Sequence, residues 1–328
     1  MSLKILIWGA GPVGLYLGAR LAEAGQEVFF LGRRKVLEPL EGRLVIEEEG
    51  QRREFGNLKF LFDPEDIRDI PFHWVIISFK SHHNMAVVPQ LKELKMDKAL
   101  VVQNGIGNEE FYSGFLPVVA SGAFTKVVHF KEGVLKASKG GLGLAPRELV
   151  GDLFALLAPK FPVRVFQDYR PMKWSKLLLN ILGSPIACAL NLHPQDYLSQ
   201  KKGIFLEKTL LKEFLGLIKK LDIPLVSLPG YPIKLFPLLP ILPSGIFKKI
   251  SGARGEKLPS LLGDLREGKP LEIEALLLKP LKEGERIGHP MPLASLIYEV
   301  ISQKRNLSLN SLFEEYLKKA QGSFSGSG

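Results

Sequence analysis

Apolar residues near the start of the chain occur first in a short run, then at helical spacing, then in a second run. Residues 4–8 and 27–31 are runs typical of buried strands, and residues 12–24 carry apolar side chains about one helical turn apart. Gly25 follows that helix as a C-cap residue. Strand, glycine-rich turn, helix and strand together predict a βαβ unit.

The pattern changes character after Asp168. Before it, we predict strands at residues 74–79, 99–102, 118–130, 134–138, 142–144 and 163–166, and helices at 87–94 and 149–157. We also predict extended segments over residues 43–62 and a helix start at 63–65. After it, we predict helices at residues 173–190 and 201–221 and near 260, 273, 292 and 309, with a Pro-rich loop at 224–243. The sequence therefore predicts an α/β domain over residues 1–168, an all-α domain over 169–320 and a flexible tail at 321–328.

The composition narrows the class of protein. With 328 residues, 46% hydrophobic and 24% charged, the chain is typical of a globular protein. A single cysteine excludes an intrachain disulfide, and without paired Cys/His spacings we predict no metal. The N-terminus enters a strand pattern without a leader of signal-peptide type, which favours a cytoplasmic location.

The net charge of +10 has two interpretations. It attracts anions such as nucleotide cofactors or carboxylate substrates, or it reflects lysines that solvate the surface. Because the chain shows no basic stripe and no nucleic-acid-binding module, we predict no nucleic-acid partner. The apolar part of the Pro-rich loop is far shorter than the roughly 20 residues of a spanning helix, so we also predict no membrane segment. This loop suits a dimer contact or the rim of a cleft, and the sequence leaves open whether the protein forms a homodimer.

The turn of the βαβ unit reads Gly9-Ala10-Gly11-Pro12-Val13-Gly14, a G-x-G-x-x-G pattern between a strand and a helix. In this context Gly9 permits the tight turn, Gly11 lets the main chain approach a pyrophosphate, and Gly14 allows close packing of helix on strand. The helix N-terminus supplies free N–H groups and the positive end of a dipole. The six residues therefore predict the phosphate-binding loop of a Rossmann-type domain.

The end of the second strand indicates which dinucleotide binds. An NAD site usually carries Asp or Glu there, which accepts hydrogen bonds from the ribose hydroxyls. This chain has Arg33-Arg34, and a guanidinium suits a 2′-phosphate instead. NADPH/NADP+ is therefore the predicted cofactor, with solvated surface charge as the alternative explanation of both arginines.

Four further polar residues lie where a ligand would be expected. Lys80 and Asn104 follow predicted strands, and ligands of open α/β sheets bind outside the carboxyl ends of strands. Lys176 and Asn180 share one face of an otherwise apolar helix. A lysine beside an asparagine suits the polarisation of a carbonyl group, although the pattern alone favours a snorkelling lysine at the edge of the helix.

The glycine loop, Lys80, Gln103-Asn104-Gly105, Lys176 with Asn180 and the run KLPSLLGDLREGKPLE at 257–272 together resemble the ketopantoate reductase (2-dehydropantoate 2-reductase) family. The resemblance extends from residue 3 to about 300, with the motifs in the family's order. It implies a Rossmann-type domain followed by an all-α domain like the C-terminal domain of 6-phosphogluconate dehydrogenase.

The resemblance also implies roles for the residues that match. Lys176 would be the general acid and Asn180 would bind the substrate. Ser260 would bind the substrate carboxylate and Glu272 its hydroxyl, and we assign Lys176 and Glu272 as the catalytic residues. Asn104 would lie near the nicotinamide and the substrate.

On the cofactor side, Arg33 corresponds to the arginine that contacts the 2′-phosphate, and Lys80 to a lysine near the end of an earlier strand. The implied reaction is NADPH-dependent reduction of 2-dehydropantoate to pantoate, a step of pantothenate and coenzyme A biosynthesis. Hydride would pass to the C2 carbonyl of the keto acid in an interdomain cleft.

Three departures from the family bear on the substrate. The second substrate-binding asparagine is replaced by Ser184, the usual Asn-Gly by Leu277-Leu278, and a threonine by Leu271. Because lost hydrogen-bond partners weaken discrimination, a reductase of another branched 2-keto acid is the first alternative. A non-catalytic NADPH-binding regulatory protein is an alternative of another class.

Overall fold

The computed structural model describes residues 2–251 and 258–325. Within them the chain forms two compact units: the first comprises residues 2–103, 107–173 and 228–231, and the second 104–106, 174–227 and 232–325. The division falls inside a helix, and two short segments, 104–106 and 228–231, group with the unit opposite to that of their chain neighbours. The sequence pattern did not indicate this exchange.

The strands all lie in the first unit. They are β1 (Lys4–Trp8), β2 (Glu27–Leu31), β3 (Leu44–Glu48), β4 (Gln51–Phe55), β5 (Lys59–Leu61), β6 (Phe72–Ile77), β7 (Met96–Val101), β8 (Val119–Phe124), β9 (Val128–Lys131), β10 (Val134–Ala137), β11 (Leu142–Ala145) and β12 (Val163–Val165). Eight of them form one sheet in the order β12-β11-β8-β7-β6-β1-β2-β5. Neighbours are parallel except β8 and β11.

Strand β1 lies between β2 and β6, so the strand order reverses there. In open α/β sheets, ligands bind outside the carboxyl ends of the strands at such a switch point. Successive residues of β1 enter different cores, Ile5 and Ile7 on one face and Leu6 and Trp8 on the other. Burial on both faces explains why the strand is a continuous apolar run and does not alternate with polar residues.

The helices are α1 (Pro12–Glu23), α2 (Arg34–Leu37), α3 (Asn84–Glu93), α4 (Asn108–Ser113), α5 (Gly151–Leu157), α6 (Tyr169–Ile181), α7 (Pro185–Leu190), α8 (Pro194–Tyr197), α9 (Lys201–Lys220), α10 (Ser244–Ser251), α11 (Ser260–Arg266), α12 (Lys279–Arg286), α13 (Pro292–Ser302) and α14 (Leu309–Ser325). Short 3-10 helices span Glu38–Leu40, Pro64–Ile67, Ser81–His83 and Ile233–Ile241, and Glu274–Leu278 is a π-helix. The regular elements that the described residues of the second unit form are all helices, joined by loops. None of the helices formed by the described residues is both long and apolar enough to cross a membrane.

Four predicted segments differ in the structure. The single strand predicted over residues 118–130 is divided into β8 and β9, because its first part pairs with β11 in the eight-stranded sheet and its last part with β10 in the four-stranded sheet. The single helix predicted over residues 173–190 is divided into α6 and α7, because Gly183 has φ +69° and Pro185 begins α7. The Pro-rich loop contains the 3-10 helix Ile233–Ile241. The tail predicted from residue 321 is helical to Ser325, and residues 326–328 lie outside the described residues.

The strands β4-β3-β10-β9 form a separate four-stranded sheet. The sequence pattern predicted extended segments in these parts of the chain, but not that they pair with one another. The central pair of the sheet, β3 and β10, is parallel and joins Val45 to Val134. Such a pairing depends on contacts far apart in the chain, which local periodicity does not report.

Candidate active site

The glycine loop of the first unit follows β1 at the switch point. Gly9 has φ +114°, and a Cβ there would collide with the main-chain nitrogen of Phe79. Its own N–H donates to the carbonyl of Leu31 at 3.0 Å. Only glycine fits this position, because both the backbone angle and the close approach of the β6 loop exclude a side chain.

The other two glycines of the loop have different surroundings. A Cβ on Gly14 would collide with the carbonyl oxygen of Gly9 and lie 2.5 Å from the Ser78 Oγ. A Cβ on Gly11 would have no atom of the described chain within 4 Å. Gly11 is the N-cap of α1 and Pro12 its first residue, so the first turn of the helix begins beside open space. That arrangement suits the approach of an anion to the helix N-terminus.

Ser78, at the end of β6, supports the loop. Its hydroxyl donates to the Gly9 carbonyl at 2.7 Å and lies 3.3 Å from the Trp8 carbonyl. The sequence analysis did not single out Ser78, although its position directly after a buried strand is a usable signal.

Positive groups gather at the carboxyl ends of β2 and β6. Burial, together with the positive charges of Arg33 and Lys80, lowers the pKa of His83. Arg34 has other partners: it pairs with Glu38 at 3.0 Å and its guanidinium lies 4.3 Å from the ring centre of Phe62. Because Arg34 is engaged by Glu38 and the ring of Phe62, Arg33 is the better candidate ligand of a phosphate.

In the second unit, α6 brings a lysine and an asparagine together. The Lys176 Nζ donates to the Asn180 Oδ1 at 3.1 Å, and the Asn180 Nδ2 lies 3.5 Å from the Asn104 Oδ1. Both α6 side chains are half-buried, whereas Leu177 and Leu178 between them are in the core. A cation held by an amide beside apolar surroundings is suited to stabilise negative charge on a carbonyl oxygen.

The loop that carries Asn104 packs against the π-helix. Gly105 has φ +81°, and a Cβ there would lie 2.5 Å from Ala275. The N–H of Ile106 donates to the Ala275 carbonyl at 3.1 Å. Glu272, three residues before Ala275, is buried. The structure therefore brings the Asn104 loop next to the segment that begins at Glu272.

The remaining predicted substrate residues lie on neighbouring helices of the same unit. Ser184 is buried at the N-cap of α7, and Ser260 is the exposed first residue of α11, a helix that packs against α7. Leu277 is fully buried in the core, so the position of the usual asparagine presents no polar group here. Of the predicted serine-to-glutamate run, Lys257 lies outside the described residues.

The sequence analysis missed two buried charged residues, Lys173 and Glu109, whose side chains are 3.0 Å apart. The Lys173 Nζ donates to the carbonyl of Gln103, the residue before Asn104. In sequence, each of the two charged residues resembles a solvated charge on a helix, so no local signal marks it. Within the described residues there is no group of three or more His, Cys, Asp or Glu side chains that could hold a metal ion.

A glycine loop at the switch point of a parallel sheet and a lysine–asparagine group in a helical unit define a class, the two-domain oxidoreductases with a Rossmann-type first domain. The two models of the ketopantoate reductase PanE/ApbA family match this chain, the N-terminal model over residues 5–141 and the C-terminal model over 168–305. The chain belongs to the ketopantoate reductase family. The predictions of family, fold class and oxidoreductase type are confirmed.

The relatives match over most of the chain. A 2-dehydropantoate 2-reductase from Pyrococcus horikoshii is 26% identical over 322 residues, which cover 93% of this chain and 98% of that protein. A 2-dehydropantoate 2-reductase from Archaeoglobus fulgidus is 24% identical over 295 residues, covering 87% and 92%. The crystal structure of 2-dehydropantoate 2-reductase from Geobacter metallireducens has a TM-score of 0.79 at 25% identity and covers 92% of this chain and all of that one.

The same fold also occurs in a D-mandelate dehydrogenase. Its structure with NADH and anilino(oxo)acetate has a TM-score of 0.76 at 18% identity and covers 94% of this chain and 99% of that one. This likeness concerns the fold alone.

Proposed function

We propose that this protein reduces 2-dehydropantoate to pantoate with NADPH, a step of pantothenate biosynthesis. The observation that carries the proposal is the hydrogen-bonded group of Lys176, Asn180 and Asn104 in a member of the ketopantoate reductase family. Relatives that cover most of the chain carry the name 2-dehydropantoate 2-reductase, which supports the same substrate.

The first unit fits a nicotinamide dinucleotide. The main chain at Gly11 and the N-terminus of α1 would hold the pyrophosphate, because a side chain at Gly11 would enter the open space beside the helix, while Gly9 permits the tight turn that leads into it. Arg33 would hold a 2′-phosphate, with Lys80 adding positive charge at the same edge of the sheet. This cluster favours NADPH over NADH. Bound NADPH supplies a hydride from its nicotinamide ring.

The chain's own residues would stabilise the negative charge on the carbonyl oxygen and supply the proton that the oxygen receives. As hydride reaches the C2 carbonyl carbon, negative charge grows on the oxygen, and the Lys176 ammonium stabilises it and donates the proton. Asn180 accepts a hydrogen bond from the Lys176 Nζ and so keeps the ammonium oriented. By the family resemblance, Ser260 binds the substrate carboxylate, Glu272 accepts a bond from its hydroxyl, and Ser184 and Asn104 complete the contacts.

The test is NADPH oxidation with ketopantoate by wild type and Lys176→Ala. We expect wild-type turnover and a fall of about 100-fold or more in kcat for the variant, because it loses both the general acid and the charge that stabilises the transition state. Undiminished activity of Lys176→Ala would eliminate the assigned acid. Lys160→Ala, in a turn of the first unit, is the control for the removal of a lysine.

A second candidate is reduction of another branched 2-keto acid on the same scaffold. The observation that favours it is Leu277, fully buried where the family usually has asparagine, together with Ser184 in place of another. A panel of 2-keto acids in one NADPH assay separates the two candidates by their kcat/KM values. A site that lacks hydrogen-bond partners for the substrate hydroxyl should not prefer ketopantoate over keto acids without that hydroxyl.

A further inference from the structure

Lys173 and Glu109 form an ion pair in the interior of the first unit. Their side chains are 3% and 2% exposed, and the Lys173 Nζ lies 3.0 Å from the Glu109 Oε1. The same Nζ donates to the main-chain carbonyl of Gln103 at 2.5 Å, and the Ser121 hydroxyl donates to the Glu109 Oε1 at 2.7 Å. The lysine thus connects a carboxylate to the main chain of the residue that precedes Asn104.

Gln103 is also fixed through its side chain. Its amide Nε2 donates to the Phe79 carbonyl at 2.9 Å and to the Asn84 Oδ1 at 2.7 Å. The Tyr112 hydroxyl donates to the same Asn84 oxygen at 2.8 Å. Gln103 is therefore held at its carbonyl and at its side chain, both by buried partners.

A buried ion pair is a poor source of stability. Removing two charges from water costs several kcal/mol for each ion, and apolar residues of similar volume often stabilise a core equally well. What the pair does supply is a charge-assisted hydrogen bond with a fixed direction. Here that bond ends on the peptide group between Gln103 and Asn104.

The same helix carries the proposed acid. Lys173 and Lys176 are both in α6, about one turn apart, and Asn180, whose amide lies next to Asn104, is one turn further on. Helix α6 therefore bears the group that fixes the main chain before Asn104 and the group that meets its side chain.

We propose that the Lys173–Glu109 pair is a positioning device: Glu109 holds the Lys173 ammonium, which fixes the Gln103 carbonyl so that the Asn104 amide stays in register with Asn180 and Lys176. Because both side chains are buried, they are positioning residues that would act on the reaction through Asn104. The catalytic consequence rests on the proposed function, whereas the effect on the loop does not depend on it.

The test compares wild type with the double variant Lys173→Met/Glu109→Gln, which leaves no unpaired buried charge. We expect kcat with ketopantoate to fall about 10–100-fold, since misplacement of a reacting group by about 1 Å costs up to about 100-fold. The dissociation constant for NADPH should stay within about twofold, because the glycine loop and Arg33 are untouched.

The matched control is Lys126→Met. Lys126 is another buried lysine of the first unit, which bonds the Ser138 carbonyl at 2.8 Å and the Glu48 carboxylate. Its removal should lower thermal stability and leave kcat per folded molecule unchanged. An equal loss of kcat in the control would mean that any buried lysine has this effect, and the proposal would fail.

Amide hydrogen exchange provides a readout that needs no substrate. In the double variant, peptides covering residues 103–107 should exchange faster than in wild type, while those of β6 stay protected. Wild-type exchange in residues 103–107, or wild-type kcat, overturns the proposal. If wild type itself does not reduce ketopantoate, the proposed function fails and exchange alone decides the positioning claim. Glu109→Gln alone, which retains the lysine, serves if the double variant does not fold.

Discussion

At the scale of single residues, Arg33 and Arg34 show why sequence identifies candidates but not their surroundings. Both follow β2, and both are arginines where an NAD site would have a carboxylate. The structure distinguishes them, since Arg34 pairs with Glu38 and lies over the ring of Phe62, whereas the positive charge of Arg33, after burial and together with that of Lys80, lowers the pKa of His83. Lys173 and Glu109 show the converse, because nothing in their sequence context marks them as buried.

Replacing Arg33 tests the preference for NADPH. Arg33→Ala should weaken NADPH binding about 10–100-fold and leave NADH binding nearly unchanged, because one charge-assisted hydrogen bond to the 2′-phosphate contributes roughly 1.5–3 kcal/mol. Dissociation constants for both cofactors, from the quenching of protein fluorescence, give the measurement. Arg34→Ala is the control and should change neither constant much. A similar loss for both cofactors would place Arg33 elsewhere than at the 2′-phosphate.

At the scale of elements, the turn from β1 into α1 was predicted from sequence because its requirements are local. A tight turn, a helix start and close packing each select glycine at a fixed spacing. The two glycines with different surroundings, Gly11 and Gly14, allow binding to be separated from folding.

The variants Gly11→Ala and Gly14→Ala should therefore fail in different ways. A methyl group at Gly11 enters open space, so it should weaken NADPH binding about tenfold or more with a small change in melting temperature. A methyl group at Gly14 collides with the Gly9 carbonyl, so it should destabilise the fold by about 1–3 kcal/mol. Thermal melts with and without NADPH check both. Equal melting temperatures for the two variants would contradict this assignment.

In the second unit, Glu213 of α9 caps the N-terminus of α13. Its carboxylate accepts from the N–H groups of Leu293 at 2.8 Å and Ala294 at 2.9 Å. Burial raises the pKa of Glu213 to about 7, although these two hydrogen bonds lower it. The folded state therefore binds a proton more readily than the unfolded chain, whose glutamates titrate near pH 4.3.

This difference makes the free energy of unfolding depend on pH. The contribution of Glu213 is fully present below about pH 4.3 and is lost as the pH rises through about 7, to the extent of up to about 3 kcal/mol. Between pH 5 and pH 8, wild type should lose more stability than Glu213→Gln, which does not titrate. Urea unfolding of both proteins at the two pH values measures the difference. Equal losses would show that Glu213 does not titrate in this range.

At the scale of the whole molecule, the sequence predicted an α/β part followed by a helical part because each has its own hydrophobic period. Periodicity did not predict the four-stranded sheet, in which β3 pairs with β10, nor the grouping of residues 228–231 with the first unit. Both depend on contacts between distant parts of the chain. A cytoplasmic location stays a prediction at this scale, and whether the protein forms a homodimer stays open.

The residues of the candidate site also fall into two groups, those predicted from the sequence and those seen only in the structure. The glycine loop, Arg33, Lys80, Lys176, Asn180 and Asn104 were found from motifs and from a family resemblance. Ser78 and Lys173 were not, because what distinguishes them is the main-chain carbonyl to which each donates, and Glu109 was not, because what distinguishes it is its contact with Lys173. Motifs indicate candidate ligand-binding groups, whereas the buried partners around those groups become visible only in the fold.

The most direct test of the central claim follows the hydride itself. Wild type is incubated with ketopantoate and NADPH that carries deuterium at both C4 positions of the nicotinamide, and the product is examined by mass spectrometry and NMR. We expect pantoate with one deuterium at C2, formed in equal amount to the NADP+. Pantoate without deuterium, or oxidation of NADPH without pantoate, would contradict hydride transfer from the cofactor to this substrate.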